Sequence, residues 1–158
     1  MTADAGSLAA AARLTVGVVL ACSGVAKLVS RRGSEGQLAG YGVPSALAPA
    51  ASLALPTVEL TVAALVLVVP ARWPVWLAVG AFGLFTGVVV AELQRGETAP
   101  CRCFGSLSNR PMSTRALVRN TWLLALAVVA TGSSSGISHV GWLVAPLVVA
   151  SAALIVTT

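Results

Sequence analysis

An all-α fold, a polytopic bundle of four to five membrane-spanning helices, is what this sequence predicts, and three observations lead there. Of its 158 residues, 57% are hydrophobic and only 9% are charged, whereas a soluble domain carries about 25% charge. So few charges cannot cover a soluble surface, so much of the outside must face lipid. The apolar residues also gather into five segments, each near the roughly 20 residues that a spanning helix needs. Finally, the Gly-, Pro- and Arg-rich stretches fall between those segments. Mean hydropathy is +0.91. We expect one integral membrane domain over residues 1–158.

The first segment covers about 8–28 and is rich in Ala, Val and Leu. "VSRRGSEGQLAGYGVP" (29–44) follows, polar and Gly-rich, and reads as a loop. The second segment covers about 46–69 and contains Pro56, which frees a backbone carbonyl and can kink a helix. "PARWP" is a tight turn with two prolines, and Trp73 and Trp76 suit a membrane interface. The third segment covers about 73–93, where Gly80, Gly83 and Gly87 lie on close helical turns and read as helix-packing positions. The fourth, about 114–131, opens with two arginines whose long stems can snorkel. "GSSSG" separates it from the fifth, about 139–156. Trp122 and Trp142 lie near proposed helix ends.

Charge then suggests an orientation. The formal net charge is +5. With five spans, Lys27, Arg31, Arg32, Arg95, Arg102, Arg110, Arg115 and Arg119 belong to one side, and Arg13 and Arg72 to the other. The positive-inside rule puts the first side, with its loop around residue 101, in the cytoplasm and the N-terminus outside. No basic stripe is interleaved with aromatics, which argues against nucleic acid. The sole histidine, His139, is far in sequence from Cys101 and Cys103, so no zinc ligand set is expected. His139 reads as an interfacial polar residue.

Four groups of residues could carry chemistry. Glu59 sits near the middle of the second segment, where a carboxylate must face the interior, find a partner or take up a proton. Arg13, entering from the outer face, is a candidate partner. The site reads equally as a proton or ligand site and as a buried structural pair. Cys101 and Cys103 flank Arg102 in the longest charged connection. Neighbouring cations favour the thiolate, the reactive form, and a disulfide closed over one residue is strained and readily reduced. The pair therefore reads as a redox dithiol, with a metal-docking pair or a structural loop as alternatives. Cys22 is a possible third thiol beneath that pair, although a small core residue is its ordinary role. "LTVGVVLAC" mimics a lipoprotein signal ending at Cys22, but the long stretch before it contains Asp4 and a single positive charge. Asn120, beside Arg119, reads as a residue that hydrogen-bonds between helices.

"SGVAKL", "YGVP", "LPTVEL", "RGETAPCRCFGSLS" and "TRALVRNTWLL" occur in that order. From about residue 16 to about 127 the chain resembles the methylamine-utilisation MauE family, itself similar to the DoxX-like small membrane proteins. The combination of Cys-x-Cys-Phe-Gly after Arg-Gly with Arg-Asn in the next helix is its most specific part. The resemblance implies a helix bundle in a bacterial cytoplasmic membrane. It also implies a role in maturing the disulfide-rich small subunit of methylamine dehydrogenase beside a thioredoxin-like partner, with Cys101 and Cys103 carrying redox equivalents. Many relatives have Gly between the cysteines; Arg102 here adds charge where Gly would ease a tight ring.

Three readings remain at this point. The first is a membrane thiol–disulfide redox protein, with no cofactor evident and a membrane quinone as one conceivable electron acceptor. The second is a non-catalytic scaffold for a maturation or sulfur-handling complex, and the third is a small proton-coupled carrier centred on Glu59. The residues decide neither enzyme nor binding protein, and they fix no oligomeric state.

Overall fold

In the computed structural model, residues 2–30, 35–36, 38, 42–96 and 114–132 are described. They form a bundle of four helices: α1 (Thr2–Val29), α2 (Ala48–Val68), α3 (Trp73–Arg95) and α4 (Thr114–Ala130). No strand occurs among the described residues. Three stretches, Gly6–Val29, Ala48–Val68 and Trp73–Arg95, are long and apolar enough to cross a membrane. α4 has 17 residues, about 25 Å at 1.5 Å per residue, somewhat short of a hydrocarbon core of roughly 30 Å. The fifth expected span and the Cys101–Cys103 loop lie outside the described residues.

Local chemistry sets the boundaries. α1 starts about six residues before the expected position, because Ala-rich sequence favours helix beyond the lipid-crossing length. α2 carries Pro49 in its first turn, where a missing N–H costs nothing. It ends at Val69, which is extended (φ −86°, ψ 112°), the conformation imposed on a residue that precedes proline. α3 ends on Gly96 at φ 69°, whose N–H donates to the carbonyls of Glu92 and Leu93. That left-handed cap is a role in which glycine is strongly favoured.

α1 packs against α2 and α4, and α3 packs against α4 and α2, so the four helices close into a ring. The core between them comprises Ala12, Val16, Leu20, Val66, Phe82 and Leu123 among others. α1 and α2 approach closely at Gly17 and Gly24. A Cβ on Gly17 would lie 2.6 Å from the Leu67 side chain, and one on Gly24 would lie 2.8 Å from Leu60 and 3.2 Å from the Pro56 carbonyl oxygen. Gly24→Leu is therefore expected to push the pair apart and cost about 1–3 kcal/mol, read as a lower midpoint of thermal unfolding in detergent. An unchanged midpoint would mean that the two backbones can separate freely.

The glycines of α3 behave differently from the expectation. Nothing lies within 4 Å of a Cβ built on Gly80, Gly83 or Gly87. The inward face of α3 is instead Val75, Ala78, Phe82, Phe85 and Val89, so these glycines do not pack the described helices together. Trp122 lies in the middle of α4, not near its end. On the lipid-facing surface, the hydroxyls of Thr57 and Thr61 donate to their own helix, to the carbonyls of Leu53 (2.7 Å) and Thr57 (2.8 Å). Lipid offers no partner to such groups, so the helix supplies one.

Candidate intramembrane polar site

A buried polar cluster crosses the bundle interior beside Gly24, at one of the two close approaches of α1 to α2. Ser23 and Lys27 lie one turn apart on α1, and Glu59 faces them from α2. The Ser23 hydroxyl donates to Glu59 Oε2 at 3.0 Å. Lys27 Nζ donates to Ser23 Oγ at 3.3 Å and forms an ion pair with Glu59 Oε1. It also lies 4.6 Å from the centroid of the Phe85 ring on α3, within cation–π range. Phe85 in turn meets Phe82 edge to face, with centroids 6.4 Å apart. Ser23, Lys27 and Glu59 are at most 4% exposed.

Helix direction explains why Lys27 turns inward. Helical side chains lean toward the N-terminus of their own helix, which for Lys27 is away from the nearby end of α1 and toward Ser23. α1 and α2 run antiparallel, and Gly24 brings their backbones close enough for Glu59 to receive both donors. Two opposite charges in this low-dielectric layer attract strongly, but each has also lost its hydration. The hydroxyl and the aromatic face replace part of that hydration.

Arg13 is not the partner of Glu59. Its Nε donates to the Val66 carbonyl at 2.8 Å, and its Nη2 donates to the Val69 carbonyl. The Val66 carbonyl would ordinarily accept from the residue four positions on, which is Pro70 and has no N–H. Arg13 thus caps the end of α2 and fixes α1 to the α2–α3 turn. Its Nη1 has no hydrogen-bond partner among the described residues.

The other candidates are placed as follows. Cys22 is a free thiol exposed on the outside of α1; the inward positions beside it are taken by Ser23 and Val19, so it is not a core residue. Arg119 and Asn120 are buried within α4, at 1% and 0% exposure. Both amide atoms of Asn120 lack a hydrogen-bond partner among the described residues, so the expected interhelical hydrogen bond is not formed there. Cys101, Arg102, Cys103 and His139 lie outside the described residues.

Lys27, Ser23 and Phe85 were not singled out from sequence. Lys27 was counted with the loop charges because it stands next to a helix end. The available signal was the spacing of Ser23 and Lys27, one helical turn apart and opposite a mid-span carboxylate. Glu92 is also buried, at 6% exposure, and accepts from the exposed Arg95 at 3.1 Å.

The sequence model of the family described as methylamine utilisation protein MauE matches residues 5–133, most of the chain. No curated protein and no solved structure matches it.

Proposed function

The chain belongs to the methylamine utilisation MauE family, and on that premise we propose that it is a membrane thiol–disulfide redox protein supporting the maturation of disulfide-containing clients. Cys101 and Cys103 are its redox pair. Oxidising the pair forms one S–S bond and releases two electrons and two protons. A thioredoxin-like partner disulfide takes up both as it becomes a dithiol, and the reverse transfer balances in the same way.

One observation carries the reading. Residues 97–113, which contain both cysteines, join two helix ends that packing holds side by side. Val89 and Leu93 of α3 pack with Ala116 and Leu117 of α4, and Arg95 and Arg115, on either side of the connection, are exposed. A dithiol in such a connection has a fixed anchor and a cationic approach, which suits exchange with a soluble partner.

Recounting the charges supports a cytoplasmic position for that connection. Lys27 and Arg119 are buried in the bundle, as is Arg13, so none of them is a loop charge. The balance becomes 8 − 2 = 6 against 2 − 1 = 1, a bias in the same direction as before. The membrane is on this reading the bacterial cytoplasmic membrane. The ion pair weighs against a carrier centred on Glu59, because Lys27 and Ser23 already occupy both of its carboxylate oxygens.

The test is labelling of Cys101 and Cys103 by a membrane-impermeant maleimide in a Cys22→Ser background, in intact cells and inside-out vesicles, with and without prior reduction. The expected result is labelling in inside-out vesicles only, and only after reduction. Labelling in intact cells would reverse the orientation. Full labelling without reduction on either side would remove the redox reading and favour the scaffold.

A further inference from the structure

Positive charge without a balancing acid gathers at the end of the bundle where α2 turns into α3. Arg13 is 5% exposed and donates to the carbonyls of Val66 and Val69. Those carbonyls close the C-terminus of α2 and carry only partial charges. The remaining nitrogen, Nη1, is buried without a partner among the described residues. Glu59 lies about two turns back along α2 from Val66 and is already paired with Lys27. Glu92 pairs with Arg95 near the far end of α3, and Glu35 lies in the α1–α2 connection, also at the far end. The nearest acid to Arg13 along α1 is Asp4, nine residues and about 13 Å away along the axis. The turn beside Arg13 adds two further positive features. Arg72, three residues after Val69, is exposed and forms the N-cap of α3. α3 starts there with no side-chain cap and no acid in its first turn. The N–H groups of Arg72 and Trp73 meet no backbone carbonyl among the described residues. A helix of 23 residues thus presents a bare N-terminus, with its partial positive charge, beside a buried guanidinium.

We propose that the α2–α3 turn, with Arg13 beneath it, is an anion site for a phosphate group at the membrane surface. The turn lies at the surface: Pro70 and Arg72 are exposed, and Val69 and Ala71 are half-exposed. A group arriving from the head-group layer therefore reaches it without any cavity inside the bundle. Its oxygens accept from the Arg72 and Trp73 amides, as anions do at helix N-termini, and from the Arg72 guanidinium. Arg13 supplies charge from below and has Nη1 left to donate. Arginine's planar fork suits phosphate oxygens better than a point charge would. Trp73 and Trp76, both exposed, are of the type that settles at head-group depth and would hold the turn there. The phosphate belongs either to an anionic phospholipid head group or to a soluble phosphate. The site lies at the opposite end of the bundle from the Cys101–Cys103 connection and does not depend on the redox reading.

The test is a thermal-unfolding titration of the purified protein in a neutral detergent. The probes are dioctanoyl-phosphatidylglycerol, the zwitterionic dioctanoyl-phosphatidylcholine, and inorganic phosphate against chloride at equal ionic strength. Phosphatidylglycerol should raise the unfolding midpoint in a concentration-dependent way, and phosphatidylcholine should do so far less. An effect of phosphatidylglycerol alone assigns the site to lipid; an equal effect of inorganic phosphate assigns it to a soluble phosphate. Arg13→Gln keeps a donor for the α2 carbonyls but no charge, and should weaken the response about tenfold. Arg72→Gln should weaken it by a similar factor. Ala71→Asp sets a carboxylate at the half-exposed position before the N-cap; it should keep the midpoint without ligand and remove the response. Arg95→Gln, which removes a charge at the other end of the bundle, should retain most of it. Should Arg13→Gln fail to fold, Arg72→Gln and Ala71→Asp decide. No response of the wild type to phosphatidylglycerol or phosphate, an equal response to phosphatidylcholine, an undiminished response in Arg72→Gln and Ala71→Asp, or an equal loss in Arg95→Gln would each overturn the proposal.

Discussion

Replacing Lys27 with Met is expected to destabilise the bundle by about 3–5 kcal/mol, because it leaves the Glu59 carboxylate buried without its counter-charge. Glu59 lies near the middle of α2 and is 2% exposed, so it has no short path to water. The reverse change, Glu59→Leu, is expected to cost less. Lys27 stands two residues from the end of α1, and its flexible stem can swing outward to the interface once the carboxylate is gone. The double variant, Lys27→Met with Glu59→Leu, removes both charges and is expected to lie within about 1–2 kcal/mol of the wild type, since apolar replacements of a buried pair are often close to neutral. The measurement is reversible unfolding in mixed detergent micelles, run as a double-mutant cycle. Equal, additive losses in the two single variants would show that the pair does not act as a unit.

The second large effect concerns function and not stability. Cys101→Ser and Cys103→Ser are each expected to abolish support of client disulfide formation while leaving the amount of protein in the membrane unchanged. A thiol–disulfide cycle needs both sulfurs, and serine is close to isosteric but does not form the bond. Both cysteines fall in the connection between α3 and α4, outside the sequence of the four described helices, so the bundle should form without them. The readouts are the disulfide state of the client and the quantity of this protein in membrane fractions. Loss of the protein itself would assign the cysteines a structural role. Full activity in the double variant would leave the scaffold reading in their place.

The helices were legible because lipid imposes a simple rule: long apolar segments must become helices or closed barrels. The segments at 46–69 and 73–93 came within two residues of α2 and α3 at each end, since proline marks the start of each helix and also follows the end of α2. Glu59 was legible as a buried carboxylate because no other residue near the middle of its segment is charged. Its partner was not, because pairing depends on register between helices. Arg13 and Lys27 both lie on α1, and the antiparallel register, with Gly17 against Leu67 and Gly24 against Leu60, selects the second. Arg13 was misread for a related reason: the carbonyl it serves is freed by Pro70, which lies just past the end of α2 and far from Arg13 in sequence. The outward orientation of Gly80, Gly83 and Gly87 was likewise hidden, since small residues mark a possible close approach without saying which face the neighbours use.

The bonds from Arg13 to the end of α2 also bear on how the chain enters the bilayer during synthesis. Its only described acceptors are the carbonyls of Val66 and Val69, in a segment made more than fifty residues later. Until that segment emerges, α1 carries a guanidinium inside an apolar stretch with no internal acceptor. At the centre of a lone helix a cation costs about 2.5–3.5 kcal/mol of insertion free energy, and Arg13, seven residues into the span Gly6–Val29, carries part of that cost. Lys27, two residues from the end of α1, can reach the interface until its carboxylate arrives. The first helix is therefore poorly suited to settle in lipid alone, and the first two helices are suited to leave the translocation channel as a hairpin, with the later helix supplying the carbonyls for Arg13 and the carboxylate for Lys27.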